Sequence, residues 1–220
     1  MKRILLAMLL MFSLTDYAQT YTNDDKSLTG VFEVQNKTKA EIFSAINKWI
    51  SINYNSGKSV TQLSDAGGGN IVVKGINEVN YTNSYKTISN SKYVQPTIST
   101  KLNHLIDISV KDNRFRIVYR ITYFVPTSIS VNSIMTTNPL ELAAFGCINL
   151  NGPTDVSIEF YNKVYEPYLK MGSVGKTKRE LFFTQTKPMF DECNANLIVD
   201  IKKTMLSIQS AVTSPTKDGW

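Results

Sequence analysis

Apolar side chains at every second position from Phe115 to Tyr123 give the clearest periodic signal in the chain. Phe115, Ile117, Tyr119, Ile121 and Tyr123 share one face of an extended segment, and Arg116, Val118, Arg120 and Thr122 share the other. That is the pattern of a strand with one dry and one wet face. Asn103–Lys111 (NHLIDISVK) precedes it, and Asp112-Asn113 between the two predicts a hairpin turn. A second hairpin is predicted from Lys58–Ser64 and Asn70–Val79, joined through Asp65 to Gly69. Gly67, Gly68 and Gly69 are followed by β-branched residues, whereas a glycine cradle for phosphate opens a helix. Thr29–Gln35 reads as a short strand whose core face is Phe32 and Val34. Residues 19–28 are polar and predict a disordered lead-in. Asn80–Lys101, rich in Ser, Thr, Asn and Tyr, predicts a long loop.

Two segments carry the helical period instead. Thr38-x-x-Glu41 forms a capping box, and Ile42, Ile46, Trp49 and Ile50 follow it on one stripe until about Tyr54. Near the other end, Phe190, Cys193, Leu197, Ile201, Met205 and Ile208 predict an amphipathic helix over Pro188–Gln209. Asp191 and Glu192 then sit in its first turn, where acids favour the dipole. Between Pro126 and Lys187 the pattern is weaker. A short helix is expected around Leu140–Phe145, and another begins at Thr154 as N-cap with Pro167 as a kink or stop. The order is strand, helix, four strands, extra helical material, helix. It predicts one α+β domain over 29–212, an antiparallel sheet with helices packed on one face. A helical insertion occupies about 126–187 and a frayed tail 213–220.

The N-terminus has a different layout. Lys2 and Arg3 precede the apolar run Ile4–Leu14, and Thr15-Asp16-Tyr17-Ala18 then brings in polar and small residues. This is the arrangement of a secretory signal peptide, too short to span a bilayer, with cleavage expected after Ala18. It predicts a periplasmic or secreted protein with no integral membrane span once residues 1–18 are removed. The full chain has 24 Lys+Arg and 18 Asp+Glu, a net charge of +6. Loss of Lys2, Arg3 and Asp16 leaves about +5. No run of like charges accompanies it, so nucleic acid is not expected as a partner.

Candidate chemistry is sparse. Cys147 and Cys193 are the only cysteines: in an oxidising compartment they form one disulfide, and otherwise they are two buried thiols. Without nearby histidines they fall short of a zinc set, and no metal or other cofactor is expected. Gly175-Lys176-Thr177 imitates the end of a phosphate loop, but the position five residues before Gly175 is Lys170 and the preceding segment is helical. His104 is the single histidine and is expected on the surface or at a strand edge. Glu33, Asp65, Glu78 and Asp107 are scattered acids, and nothing in their spacing pairs two of them for hydrolysis. What remains is a surface. Arg116, Arg120 and Thr122, with Lys74, line the wet face of the sheet, and Tyr81, Tyr85 and Tyr93 are expected in a loop that covers it or meets a partner.

The stretch AEIFSAINKWISINYNSGKSVTQLSDAGGGNIVVKG (Ala40–Gly75), with FRIVYRITYF (Phe115–Phe124) downstream, resembles secreted Gram-negative proteins of a domain-of-unknown-function family described as TBP-like. The Trp49 helix followed by Asn55-Ser56-Gly57-Lys58-Ser59-Val60 carries most of the likeness, which covers Val31–Val125. The resemblance implies a β-α-β4-α fold and brings no activity with it. Together these features predict an exported binding or envelope-assembly module acting on a protein or an envelope polymer. A small carboxylate-dependent hydrolase and a secreted inhibitor are the alternatives.

Overall fold

The alternation around Tyr119 lies in the middle of the sheet. A computed structural model describes residues 19–54, 57–125 and 139–214. The signal-peptide reading of 1–18, residues 126–138 of the insertion and the tail beyond 214 lie outside the described residues. Six strands follow one another as β1 (Gln19–Asn23), β2 (Ser27–Glu33), β3 (Thr61–Asp65), β4 (Asn70–Thr82), β5 (Thr97–Lys111) and β6 (Arg114–Phe124). They form one sheet in the order β1-β2-β6-β5-β4-β3, every neighbour antiparallel. The helices are α1 (Lys39–Asn53), a single turn α2 (Gly57–Val60), α3 (Pro139–Cys147), α4 (Asp155–Met171) and α5 (Lys176–Thr213).

One face of the sheet is dry. Phe32, Ile71, Val73, Ile106, Ile108, Phe115, Ile117 and Tyr119 point into it, and Ile42, Ile46, Trp49 and Ile50 of α1 meet them together with α5. Such a face drives the fold, because each fully buried Ile or Phe contributes on the order of 2 kcal/mol. The two helices are tied to each other where Trp49 Nε1 donates to Ser207 Oγ at 2.9 Å. The capping box forms as its sequence predicts, with the Glu41 amide donating to Thr38 Oγ1 at 3.3 Å and the Thr38 amide donating to Glu41 Oε2 at 2.8 Å.

The structure departs from the sequence reading in several places. Residues 19–28 are no lead-in. Gln19–Asn23 pairs with Leu28–Phe32 as an edge strand, and Tyr21 sets its ring edge-on to Phe32 at 6.2 Å. An edge strand needs only one neighbour and one anchoring side chain, so its polarity hides it. The strand expected over Lys58–Ser64 starts only at Thr61, behind α2. The long loop shrinks to 83–96, because β4 and β5 extend in register as far as Thr82 opposite Thr97. In β6 a register shift opposite Asn103 and His104 leaves Thr122 as the extra residue. The alternation therefore slips, and Phe124, not Tyr123, is the next buried side chain.

The last helix is much longer than Pro188–Gln209. It starts at Lys176 and carries Pro188 inside, keeping one buried stripe from Phe182 to Val212. Asp191 and Glu192 consequently lie mid-helix, and Asp191 pairs with Lys187 at 2.9 Å instead of facing the dipole. In α4 the Thr154 cap is present and Pro167 neither stops nor shortens the helix. No helix among the described residues is long and apolar enough to cross a membrane.

Candidate functional site

The second face of the sheet carries the residues singled out above. Strand register sets them in rows. Arg116 of β6 stands between Val31 of β2 and Ser109 of β5, and Val118 between Thr29 and Asp107. Arg120 stands between Ser27 and Leu105, and Leu105 faces Lys74 of β4 on its other side. Arg116, Arg120, Thr122 and Lys74 are all exposed, whereas Val31, Val72, Leu105, Asp107 and Val118 between them are half-buried. The result is a short aliphatic strip, interrupted by Asp107 and edged by cations. Among the described residues no ion pair within 4.0 Å involves Arg116, Arg120 or Lys74, whereas Lys101 on the same face is paired with Glu78 at 3.9 Å. Among the described residues Arg116 reaches only Ser109 Oγ, at 3.4 Å. Thr122 turns its hydroxyl back to donate to the Asn103 carbonyl at 3.1 Å, so the bulge absorbs this side chain. The face thus brings together Arg116, Arg120 and Lys74, with Thr122 at its margin.

The tyrosines do not cover this face. Tyr81 is buried on the helix side and shares a hydrogen bond with Thr100 Oγ1 at 2.8 Å, and Tyr85 packs toward Phe182 of α5. Tyr93 alone stands out, 80% exposed. The β4 extension accounts for this, since it draws Tyr81 into the inward parity of the strand.

His104 overturns the surface expectation. Because β5 begins at Thr97, His104 is a mid-strand residue in phase with Leu102, Ile106 and Ile108, and it is 6% exposed. Its ring stacks on Tyr119 at 4.5 Å, and Nε2 lies 3.4 Å from the Tyr54 hydroxyl. Gly75 opposite leaves the room: a Cβ there would stand 2.7 Å from His104 Nε2. Burial pushes the imidazole pKa down to about 4, with no charged partner among the causes. Nδ1 of His104 and Nδ2 of Asn77 are buried without a hydrogen-bond partner among the described residues. A neutral ring held by aromatic stacking lacks the oriented acid and nucleophile that a catalytic triad requires.

The remaining candidates are spread out. Cys147 and Cys193 are both free and buried, and burial raises their thiols to about 11 and about 12, which keeps them protonated and unreactive. Asp65 accepts from the Gly68 amide at 2.9 Å, Glu78 is held by Ser99 and Lys101, Glu33 stands opposite Arg114, and Asp107 lies in the middle of the open face. Each acid has its own local surroundings. Gly175 is the residue before α5, and Lys176 reaches Glu180 at 3.8 Å. No cluster of three or more His, Cys, Asp or Glu suited to a metal ion occurs among the described residues.

Sequence reasoning missed one further feature, a groove of about 750 Å³ at the hairpin end of the sheet. Lys39, Lys111, Arg114 and Arg116 line it together with Asp112, Ser109 and Asn70. Three of its cations come from the two strands of one hairpin, β5 and β6, and the fourth from the start of α1, which only the fold brings beside them.

Residues 29–124 match the family model described as a domain of unknown function (DUF4468) with TBP-like fold. This segment, somewhat less than half of the chain, is what is similar to that family. A DUF4468 family protein from Bacteroides ovatus is 13% identical, with a TM-score of 0.51 over 94% of this chain and 95% of that one. A TBP-like protein from Parabacteroides distasonis is 17% identical, with a TM-score of 0.44 over 86% and 92% of the two chains. No curated protein matches. The Bacteroides ovatus likeness is one of fold. It extends past the DUF4468 match into the C-terminal helices.

Proposed function

We propose that the protein is an exported, non-catalytic binding module whose open sheet face engages an extended partner, a protein or an envelope polymer. The observation that carries this reading is the set Arg116, Arg120 and Lys74, three exposed cations with no ion pair within 4.0 Å among the described residues, edging a half-buried strip that is aliphatic but for Asp107, on a sheet whose other face is filled by helices. Unpaired guanidinium groups are available for bidentate contacts to carboxylates or other oxyanions, and the strip supplies apolar contact area beside them. The export reading rests on the Lys2-Arg3, Ile4–Leu14 and Ala18 layout of the N-terminus.

The test is affinity capture from an envelope extract with the wild-type chain and with Arg116→Ala plus Arg120→Ala. The variant changes two exposed side chains and should keep its circular dichroism and melting temperature. Loss of a specifically captured partner supports the reading. Equal capture by both chains contradicts it.

A further inference from the structure

We propose that the groove at the hairpin end of the sheet is a binding site for a soluble oligoanion bearing phosphate or sulfate groups. The site goes beyond the open-face reading and shares only Arg116 with it.

Three connections meet there, and backbone bonds lock them together. In the β5–β6 turn, Asn113 adopts φ 60 and donates its amide to the Lys37 carbonyl at 2.8 Å, while its own carbonyl accepts from Val34 at 2.7 Å. Asp112 accepts from the Lys39 amide at 2.7 Å, joining the same turn to the start of α1. From the third side, the Gly69 carbonyl accepts from the Val110 amide at 2.7 Å, and Lys39 Nζ donates to the Gly67 carbonyl. Gly69 has φ 75, and a Cβ on it would stand 2.6 Å from Val110 O, so only glycine lets the loop close on β5. The walls are therefore fixed before any ligand arrives.

Into this frame project Lys39, Lys111, Arg114 and Arg116, against a single lining acid, Asp112, which is already accepting from the Lys39 amide. Among the described residues Lys111, Arg114 and Arg116 have no ion pair within 4.0 Å. Guanidinium forks and ammonium groups converging on one concavity match tetrahedral oxyanions, which accept several charge-assisted hydrogen bonds each. A space of about 750 Å³ exceeds one phosphate and suits a short chain of charged groups. A concave rim admits such a chain, whereas a planar headgroup layer would touch only its edges.

The probes are sodium tripolyphosphate, a heparin-derived tetrasaccharide and vesicles of anionic phospholipid, each titrated against the full chain at low and at moderate salt. Micromolar binding of tripolyphosphate or of the tetrasaccharide is expected, weakening as salt rises, and the tighter of the two identifies phosphate or sulfate as the source. Lys111→Gln plus Arg114→Gln should weaken it at least tenfold with an unchanged melting temperature, and Lys74→Gln plus Arg120→Gln should leave it within twofold. The proposal is overturned by no binding of either soluble anion, by equal binding to the Lys111/Arg114 variant, or by binding to vesicles alone. Envelope capture repeated with Lys74→Gln plus Arg120→Gln, which leaves the groove lining intact, reads the open face alone, so failure of the groove and failure of the open face are separable.

Discussion

Stacked between Tyr119 and the bare backbone of Gly75, the His104 ring stays neutral under ordinary conditions. The folded chain protonates it at about 4, whereas the unfolded chain does so near its ordinary value of about 6.5. Between those two values only the unfolded state binds the proton, so stability rises with pH across the window. The contribution is complete above pH 6.5 and is lost as pH falls toward 4, on the order of 3 kcal/mol in all. Urea unfolding at pH 7 and at pH 4.5 should show most of that loss in the wild type and much less in His104→Gln. A wild type with the same stability at both values would remove His104 from the core. Gly75→Ala should cost about 1–3 kcal/mol by overpacking the same ring, read as a lower midpoint in the same titration. This residue was misread from the sequence because the polar Thr97–Lys101 hides the start of β5, so His104 reads as a strand end although alternation already sets it in phase with Ile106 and Ile108. The capping residues Thr38 and Glu41 were legible, since their bond spans only three positions.

At the level of elements, stability rests on helices with one dry side. Ile201 is fully buried on α5, whereas Leu206 is 45% exposed. Ile201→Ala should cost about 2–5 kcal/mol and Leu206→Ala less than about 0.5 kcal/mol. Comparable losses at both positions would mean that the outer side of α5 is also covered. Thr38→Ala should cost about 1 kcal/mol by freeing the amide it caps, seen as a small drop in melting temperature. The stripes of α1 and α5 could be read directly from spacing, but the start of α5 could not. Pro188 reads as a beginning, because proline suits a first turn, yet here the helix continues through it for tertiary reasons, with Phe182 and Thr186 already buried upstream. The edge strand β1 gave no signal at all, as its polar residues alternate without an apolar face. The bulge at Thr122 likewise depends on pairing with Asn103 and leaves no mark in the local pattern.

For the whole molecule, an antiparallel sheet with helices gathered on one side leaves the other side available, and the fold shared with the Bacteroides ovatus protein has this plan. The cations of the open face were legible because two-residue periodicity assigns Arg116 and Arg120 to one side, whatever the bulge does beyond them. The groove was not, since Lys39 and Arg114 meet only after three connections close on one another. Site-specific cross-linking measures the use of the open face directly. A photoreactive amino acid replaces Val118 at the centre of that face or, as a control, Leu206 on the far side of α5, and the protein is irradiated in intact cells. A discrete adduct from position 118, absent from position 206 and lost on adding Arg116→Ala and Arg120→Ala, is the predicted result. Adducts from position 206 alone would place the partner on the helices and contradict the account.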